Sequence, residues 1–295
     1  MSNATREVCL LIAGHSAGNV FQMPVLPDLL TGIERETERR NLKLIVATAD
    51  EDRLPRLLSQ RPGQAILFLG AGAAPSTARA IAEQLANHHG VWLMRDTHGW
   101  DLPFDRVFYD NAEVGRLAAR HLADRGHGRV AMLDPQPGHS AHAARREAFV
   151  ETGRQRGLEV TICERPASET DLSGPDAGAR SVVDAFLALP DRPTGVFVPR
   201  DRLTQGVVAA FEASGVRVAR DVDLVSCDNN ADSIESIGSP PPSIDLHLNE
   251  VGAAGVARLI DRLVSPDSPR QHAYVQPSLA VPPAWPAWRK GRPLD

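Results

Sequence analysis

The sequence predicts an α/β fold of two similar, doubly wound lobes, each built on a largely parallel sheet. Three observations carry that expectation. Short apolar runs alternate with helical patterns of about 10–15 residues along the whole chain. Residues 107–134 (VFYDNAEVGRLAARHLADRGHGRVAMLD) read as strand, acidic turn, amphipathic helix, glycine stop and second apolar strand. A helix between two such strands is a βαβ unit, which requires parallel strands. Finally, the elements form two series of about equal length, so the 295 residues hold two lobes.

In order, residues 7–13 (EVCLLIA) form an apolar run of buried-strand length, and 29–41 follow as a helix. Then come a strand at 42–47, a helix at 51–60, a strand at 65–69 (AILFL), an alanine-rich helix at 75–89 and a strand at 91–94. In the βαβ unit, Val114, Leu117, Ala118, His121 and Leu122 recur at helical spacing, while Glu113, Arg116, Arg120 and Asp124 take the other face. Gly126 ends that helix, with Arg125 in its last turn where a cation suits the dipole. The second series comprises strands 130–133, 159–163, 195–198 and 223–227, with helices 141–156, 177–189 and 203–214 between them. Gly238-Ser-Pro-Pro-Pro242 marks a crossing or hinge. A helix at 250–263 and a last strand at 273–277 precede a Pro- and Trp-bearing tail expected to be irregular.

A net charge of −5 argues against a chain that binds nucleic acid by itself, since such modules carry a basic face. No window approaches the roughly 18 apolar residues of a membrane span. Three cysteines, Cys9, Cys163 and Cys227, sit in or beside apolar runs, the pattern of buried thiols in a reducing compartment. With no signal-peptide pattern at the start, a cytoplasmic location is expected. The opening Met1-Ser2-Asn3-Ala4 has the look of a cloning remnant, so the natural N-terminus is expected to lie elsewhere.

Gly14-His-Ser-Ala-Gly18 matches the nucleophile elbow of α/β hydrolases, with Ser16 as the nucleophile. Pro24 and Pro27 postpone the helix that an elbow needs at once, and only one strand precedes it, which favours a binding loop. Gly70-Ala-Gly72 follows a strand but has Pro75 where a dinucleotide fingerprint needs Gly or Ala. His139 and His142 have no third ligand at a convincing spacing, so neither metal nor cofactor is expected. Asp201 and Asp228 fall just past the ends of parallel strands, where doubly wound sheets bind ligands; helix capping is the competing reading. Arg95 and Arg200 stand at strand ends, and Arg145 lies in the first turns of a helix. Three guanidinium groups converging on one site would suit a carboxylate or phosphate.

Several segments resemble the effector-binding core of the lactose-repressor family of bacterial transcription regulators, which shares the fold of type I periplasmic binding proteins. They are the 107–134 unit, Arg145-Arg-Glu-Ala-Phe149, Arg192-Pro-Thr-Gly-Val-Phe-Val-Pro-Arg-Asp201, the 215–228 stretch ending Val-Ser-Cys-Asp228, and Pro242–Gly252 with its helix. Order and spacing hold over roughly residues 6–280. The resemblance implies lobes of 5–107 with 243–264 and 108–242 with 265–295, three crossings near Val107, Ser243 and Ser265, and an effector in the cleft between the lobes. It implies no chemistry, a homodimer, and DNA contact only through a helix-turn-helix headpiece expected to be missing from this chain. A solute-binding protein for a sugar is the alternative. Carried over by position, Arg145 and Asp228 hold the effector, and Phe21, Met23 and Leu26 line the pocket from the first loop. Arg200 departs from the family's usual Asn before Asp201, Arg95 from an often acidic residue, and the loop 14–22 is longer than usual. The added positive charge points to an anionic effector: a sugar acid, sugar phosphate or organic acid.

Overall fold

A computed structural model describes residues 7–16, 18–49, 53–60, 63–70, 75–94, 104–166, 178–234 and 237–288. The chain divides into two compact units, Met1–Tyr109 with His247–Val275 and Asp110–Leu246 with Gln276–Asp295.

The first unit alternates β1 (Glu7–Ala13), α1 (Leu26–Arg39), β2 (Lys43–Ala49), α2 (Arg56–Ser59), β3 (Ala65–Leu69), α3 (Pro75–Gln84), β4 (His89–Leu93) and β5 (Asp105–Tyr109). Its last elements, α9 (Leu248–Val264) and β11 (His272–Val275), come from far along the chain. Strand order is β11-β5-β4-β3-β1-β2, and every pairing is parallel. Strands β1, β3 and β4 are buried on both faces, which is why they read as unbroken apolar runs. The helix expected at 29–41 starts at Leu26, with Pro27 in its first turn. There a proline removes only an N–H that has no helical partner anyway. Gly32 of α1 and Gly252 of α9 let the two helices touch backbone to backbone. A Cβ at Gly32 would lie 1.8 Å from the Asn249 carbonyl oxygen, and one at Gly252 2.3 Å from that of Leu29.

The second unit begins with α4 (Asn111–Asp124), capped by Asp110, whose carboxylate accepts from Glu113 N at 2.9 Å. It continues through β6 (Arg129–Asp134), α5 (Ser140–Gln155), β7 (Glu159–Glu164), α6 (Ala179–Leu187), β8 (Gly195–Phe197), α7 (Asp201–Ala213), β9 (Asp223–Asp228), α8 (Ala231–Ile234), β10 (Ser243–Asp245) and β12 (Ser278–Ala280). Sheet order is β12-β10-β9-β8-β6-β7, parallel except for β12, which runs antiparallel to β10. Both units are thus α/β with parallel-dominated sheets, as expected. The three short elements α8, β10 and β12 were not evident in the sequence, because three or four residues carry too little periodicity.

Sheet pairing also sets where the chain passes between units, at 109–110, 246–247 and 275–276. Residues 243–246 stay with the second unit because β10 pairs with β9, and 265–275 with the first because β11 pairs with β5. The first crossing is close to the expected one, whereas the others fall later than Ser243 and Ser265. The tail has no regular structure over 281–288, and Trp285 Nε1 donates to Asp223 Oδ1 at 3.0 Å. Cys9, Cys163 and Cys227 are free and buried. Among the described residues no helix is long and apolar enough to cross a membrane.

Candidate functional site

The carboxyl ends of β6, β8, β9 and β10 in the second unit gather most of the expected polar residues. Arg145 comes from the second turn of α5, Arg200 from the turn after β8, Asp201 from the first residue of α7 and Asp228 from the end of β9.

Arg145 is almost wholly buried, at 2% exposure, which a solvated helix-face arginine would not be. Its Nε donates to Asn111 Oδ1 at 3.0 Å and its Nη1 to the Pro199 carbonyl. The same Nη1 stands 3.9 Å from Asp228 Oδ1, and Arg200 Nε stands 3.7 Å from Asp228 Oδ2. Asp228 therefore sits between two guanidinium groups, paired with each but at close-packed distance from neither. Gly115 makes this placement possible, since a Cβ there would lie 2.1 Å from the Arg145 carbonyl oxygen. Helix α4 can approach α5 only because that position has no side chain.

The turn after β9 is strained. Asp228 has φ 113° and Asn229 φ 50°, two successive non-glycine residues on the positive side. Asn tolerates the left-handed region, but such residues typically cost about 1–3 kcal/mol each and persist only where their surroundings dictate them. Here Asn229 N donates to Ser243 Oγ at 3.0 Å, and Asn229 Nδ2 to Asp245 Oδ2 at 3.1 Å. Asn230 N donates to Asp201 Oδ2 at 2.8 Å.

Asp201 lies beneath this turn, fully buried. Besides Asn230 N, it accepts from Ser243 Oγ at 2.8 Å and from Ser226 Oγ. Ser226 Oγ is also 2.6 Å from Thr204 Oγ1. Burial first, and the charge of Asp228 second, push the Asp201 carboxyl up to about 7. Cys227, between Ser226 and Asp228 on β9, is also held as a thiol by burial.

His142 adds a group not singled out for this site. It is fully buried, and its Nδ1 is 2.8 Å from Asp134 Oδ1. Burial chiefly lowers its pKa; Asp134 opposes this, and the charges of Arg145 and Arg200 add to it. His139 instead caps α5, accepting from Ala141 N at 3.3 Å. Among the described residues no group of three His, Cys, Asp or Glu side chains could hold a metal.

The other expected residues lie elsewhere. Arg95 and Gly72 fall outside the described residues. Phe21, in the 3-10 turn Val20–Gln22 of the first unit, is 72% exposed, while Met23 and Leu26 are buried there. Ser16 Oγ donates to Asn19 Oδ1 at 3.2 Å, and the next α-helix begins only at Leu26, so the strand-turn-helix context of a nucleophile elbow is not met. Ser226 and Ser243 were missed, although a signal existed. Ser226-Cys-Asp228 and Ser243-Ile-Asp245 are the same serine-x-aspartate step on neighbouring parallel strands, in register Ser with Ser and Asp with Asp.

Residues 119–281, more than half of the chain, match the family described as the periplasmic binding protein-like domain. The chain belongs to that family. It is similar to the HTH-type transcriptional repressor PurR of Photobacterium profundum, 22% identical, over 95% of this chain and 81% of that protein. It is also similar to the ribose operon repressor of Escherichia coli, 24% identical over 94% and 81%. Among solved structures, the transcriptional regulator CelR–cellobiose complex superposes with TM-score 0.72 at 20% identity, covering 94% of this chain and 84% of that one. A LacI family transcriptional regulator from Enterococcus faecium with bound ribose gives 0.70 at 20%, covering 92% and 96%. The relatives are transcriptional regulators, and the solved structures share the fold. The resemblance seen in the sequence to the lactose-repressor type of effector-binding core is borne out.

Proposed function

We propose that this chain is the effector-binding and dimerisation domain of a transcription regulator of the lactose-repressor type. It binds a small sugar-like metabolite and thereby controls DNA binding by a helix-turn-helix headpiece of the same regulator. The carrying observation is the placement of Arg145, Arg200 and Asp228 at the carboxyl ends of the second unit's strands, where open α/β sheets take their ligands. Asp228 accepts from ligand hydroxyls, and the two guanidinium groups donate. Two solved structures of the same fold hold cellobiose and ribose, which supports a polyhydroxylated ligand. Two guanidinium groups flank Asp228, while Asp201 is sealed beneath the turn on donors of its own, so the effector is an acid or phosphate ester of that class. Such a molecule acts on DNA binding only through its different affinity for the two conformations of the regulator.

Calorimetric titration with ribose and cellobiose beside galacturonate and ribose 5-phosphate tests this. An anionic member should bind at least tenfold tighter than the neutral sugars, and Arg200→Ala should erase that margin. Preference for the neutral set, unchanged by Arg200→Ala, would refute the anionic assignment. Labelling of Ser16 by a fluorophosphonate probe would overturn the non-enzymatic reading altogether.

A further inference from the structure

Asp201 stands among the expected ligand contacts, yet its carboxylate is sealed inside the second unit, and the donors that meet it belong to this chain. We propose that Asp201 is a positioning residue that holds the strained Asp228–Asn229 turn and so aims Asp228 at Arg145 and Arg200. This rests on the reading of Asp228 as part of the effector site, but its mechanism and its test do not require an effector.

The logic follows from counting protons. Ser243 has one hydroxyl proton, given to Asp201 Oδ1 at 2.8 Å, which leaves its oxygen lone pairs to accept Asn229 N–H at 3.0 Å. Asp201 Oδ2 accepts Asn230 N–H directly at 2.8 Å. The carboxylate therefore fixes two successive peptide units after Asp228, one through Ser243 and one itself. Ser226 supplies the remaining donor and ties the network to Thr204 on α7. A proton added to Asp201 disturbs this arrangement. On Oδ2 it meets Asn230 N–H, donor against donor. On Oδ1 it must point at a serine oxygen, and that hydroxyl must then turn away.

The surroundings make such a proton accessible near neutrality. Asp228 and Cys227 face Asp201 from β9, Arg200 precedes it, Arg145 stands against Asp228, and His142 with its partner Asp134 is close enough to both arginines to feel their charge. Burial and the Asp228 charge favour the protonated carboxyl, while the three donors favour the ionised one. The Asp228 turn is thus held firmly by ionised Asp201 and loosely by its acid.

The test uses deuterated, 15N-labelled protein without effector. Backbone amides of Asn229 and Asn230, and the Nε–H signals of Arg145 and Arg200, are followed from about pH 5 to 9, a range that brackets the expected midpoint. Wild-type protein should show the Asn230 amide and Arg200 Nε–H titrating together with one midpoint. Asp201→Asn should abolish that titration, speed exchange of the Asn229 and Asn230 amides at least tenfold and shift Arg200 Nε–H. Ser243→Ala should release Asn229 while leaving the Asn230 titration in place, which keeps the proposal decidable if Asp201→Asn folds poorly. An Asn230 amide that does not titrate, or that titrates unchanged in Asp201→Asn, would overturn it. Failure of every sugar to bind would instead strike the proposed function and leave this result standing.

Discussion

Each unit of this protein sets an aspartate against two arginines, and the two clusters are built to different tolerances. In the first unit, Asp105 is fully buried between Arg262 and Arg258. Arg262 makes a two-pronged contact at 2.7 and 3.1 Å, Arg258 lies at 3.0 Å, and Gln271 N donates at 2.8 Å. Arg262 also donates to the carbonyls of Pro266, Ser268 and Pro269, so its guanidinium is spent on holding the chain between α9 and β11. In the second unit, Asp228 meets Arg145 and Arg200 only at 3.9 and 3.7 Å, across a backbone that is itself strained. The same residue types give a closed staple in one place and an open, pre-aligned set of charges in the other. A pair already at 2.7 Å has nothing left to offer a ligand. One at nearly 4 Å keeps most of its Coulomb attraction while leaving hydrogen-bonding directions to be completed by something else.

The sharpest way to break the comparison is to remove each aspartate. Asp105→Ala leaves two buried cations facing each other and should cost about 3–5 kcal/mol, read as a lower urea midpoint. Asp228→Ala leaves the positive-φ backbone as it is and removes only pairings at 3.7 and 3.9 Å, so it should cost much less stability than Asp105→Ala, about 1 kcal/mol, while reducing effector affinity at least tenfold. Equal losses of stability in the two variants would refute the distinction. Next in size is Arg145→Lys. A point charge cannot reach Asn111, Pro199 and Asp228 together, so binding of an anionic sugar should weaken by about 1.5–3 kcal/mol. The matching Arg262→Lys should lower stability and leave binding alone. Smaller again is Gly115→Ala, whose methyl meets the Arg145 carbonyl. Over-packing of this kind costs about 1–3 kcal/mol, and because α5 must shift, affinity should fall with it.

Much of this difference could not be read from the sequence, and the reason is geometric. Strand runs such as AILFL and VAML announce themselves because both faces of a parallel strand are buried, so the fold class was plain. Arg145, Arg200 and Asp228 were legible as residues at strand and helix ends, where ligands bind. Nothing in the sequence says that Arg258 and Arg262, one helical turn apart on α9, close on Asp105 some 157 positions from Arg262. Nor does Asp201 after Arg200 show which of the two is buried beneath the turn. That depends on Ser226 and Ser243, brought side by side by register between strands separated by the Gly238–Pro242 stretch.

The last and smallest effect separates the two clusters by the sign of their pH dependence. Burial pushes the Asp105 carboxyl up, but the Arg262 hydrogen bonds, Gln271 N–H and the charges of both arginines outweigh it and hold it below its ordinary value. Its stabilising contribution is then present at neutral pH and is lost only as acid protonates the folded form. Asp201 runs the other way. With its folded value raised from 3.8 to about 7, folding favours the protonated carboxyl. Its contribution is complete only below about 3.8, drains away as the pH climbs from there to about 7, and is gone above it. Urea midpoints measured across the pH range should therefore fall at the acid end for a reason removed in Asp105→Asn, and slope downward between about pH 4 and 7 for a reason removed in Asp201→Asn. A slope over that window that survives in Asp201→Asn would assign it elsewhere. If it vanishes, the protonation state that best stabilises the second unit is the one that holds the Asp228 turn least firmly. Order in that turn is then kept at some cost to the stability of the unit that carries it.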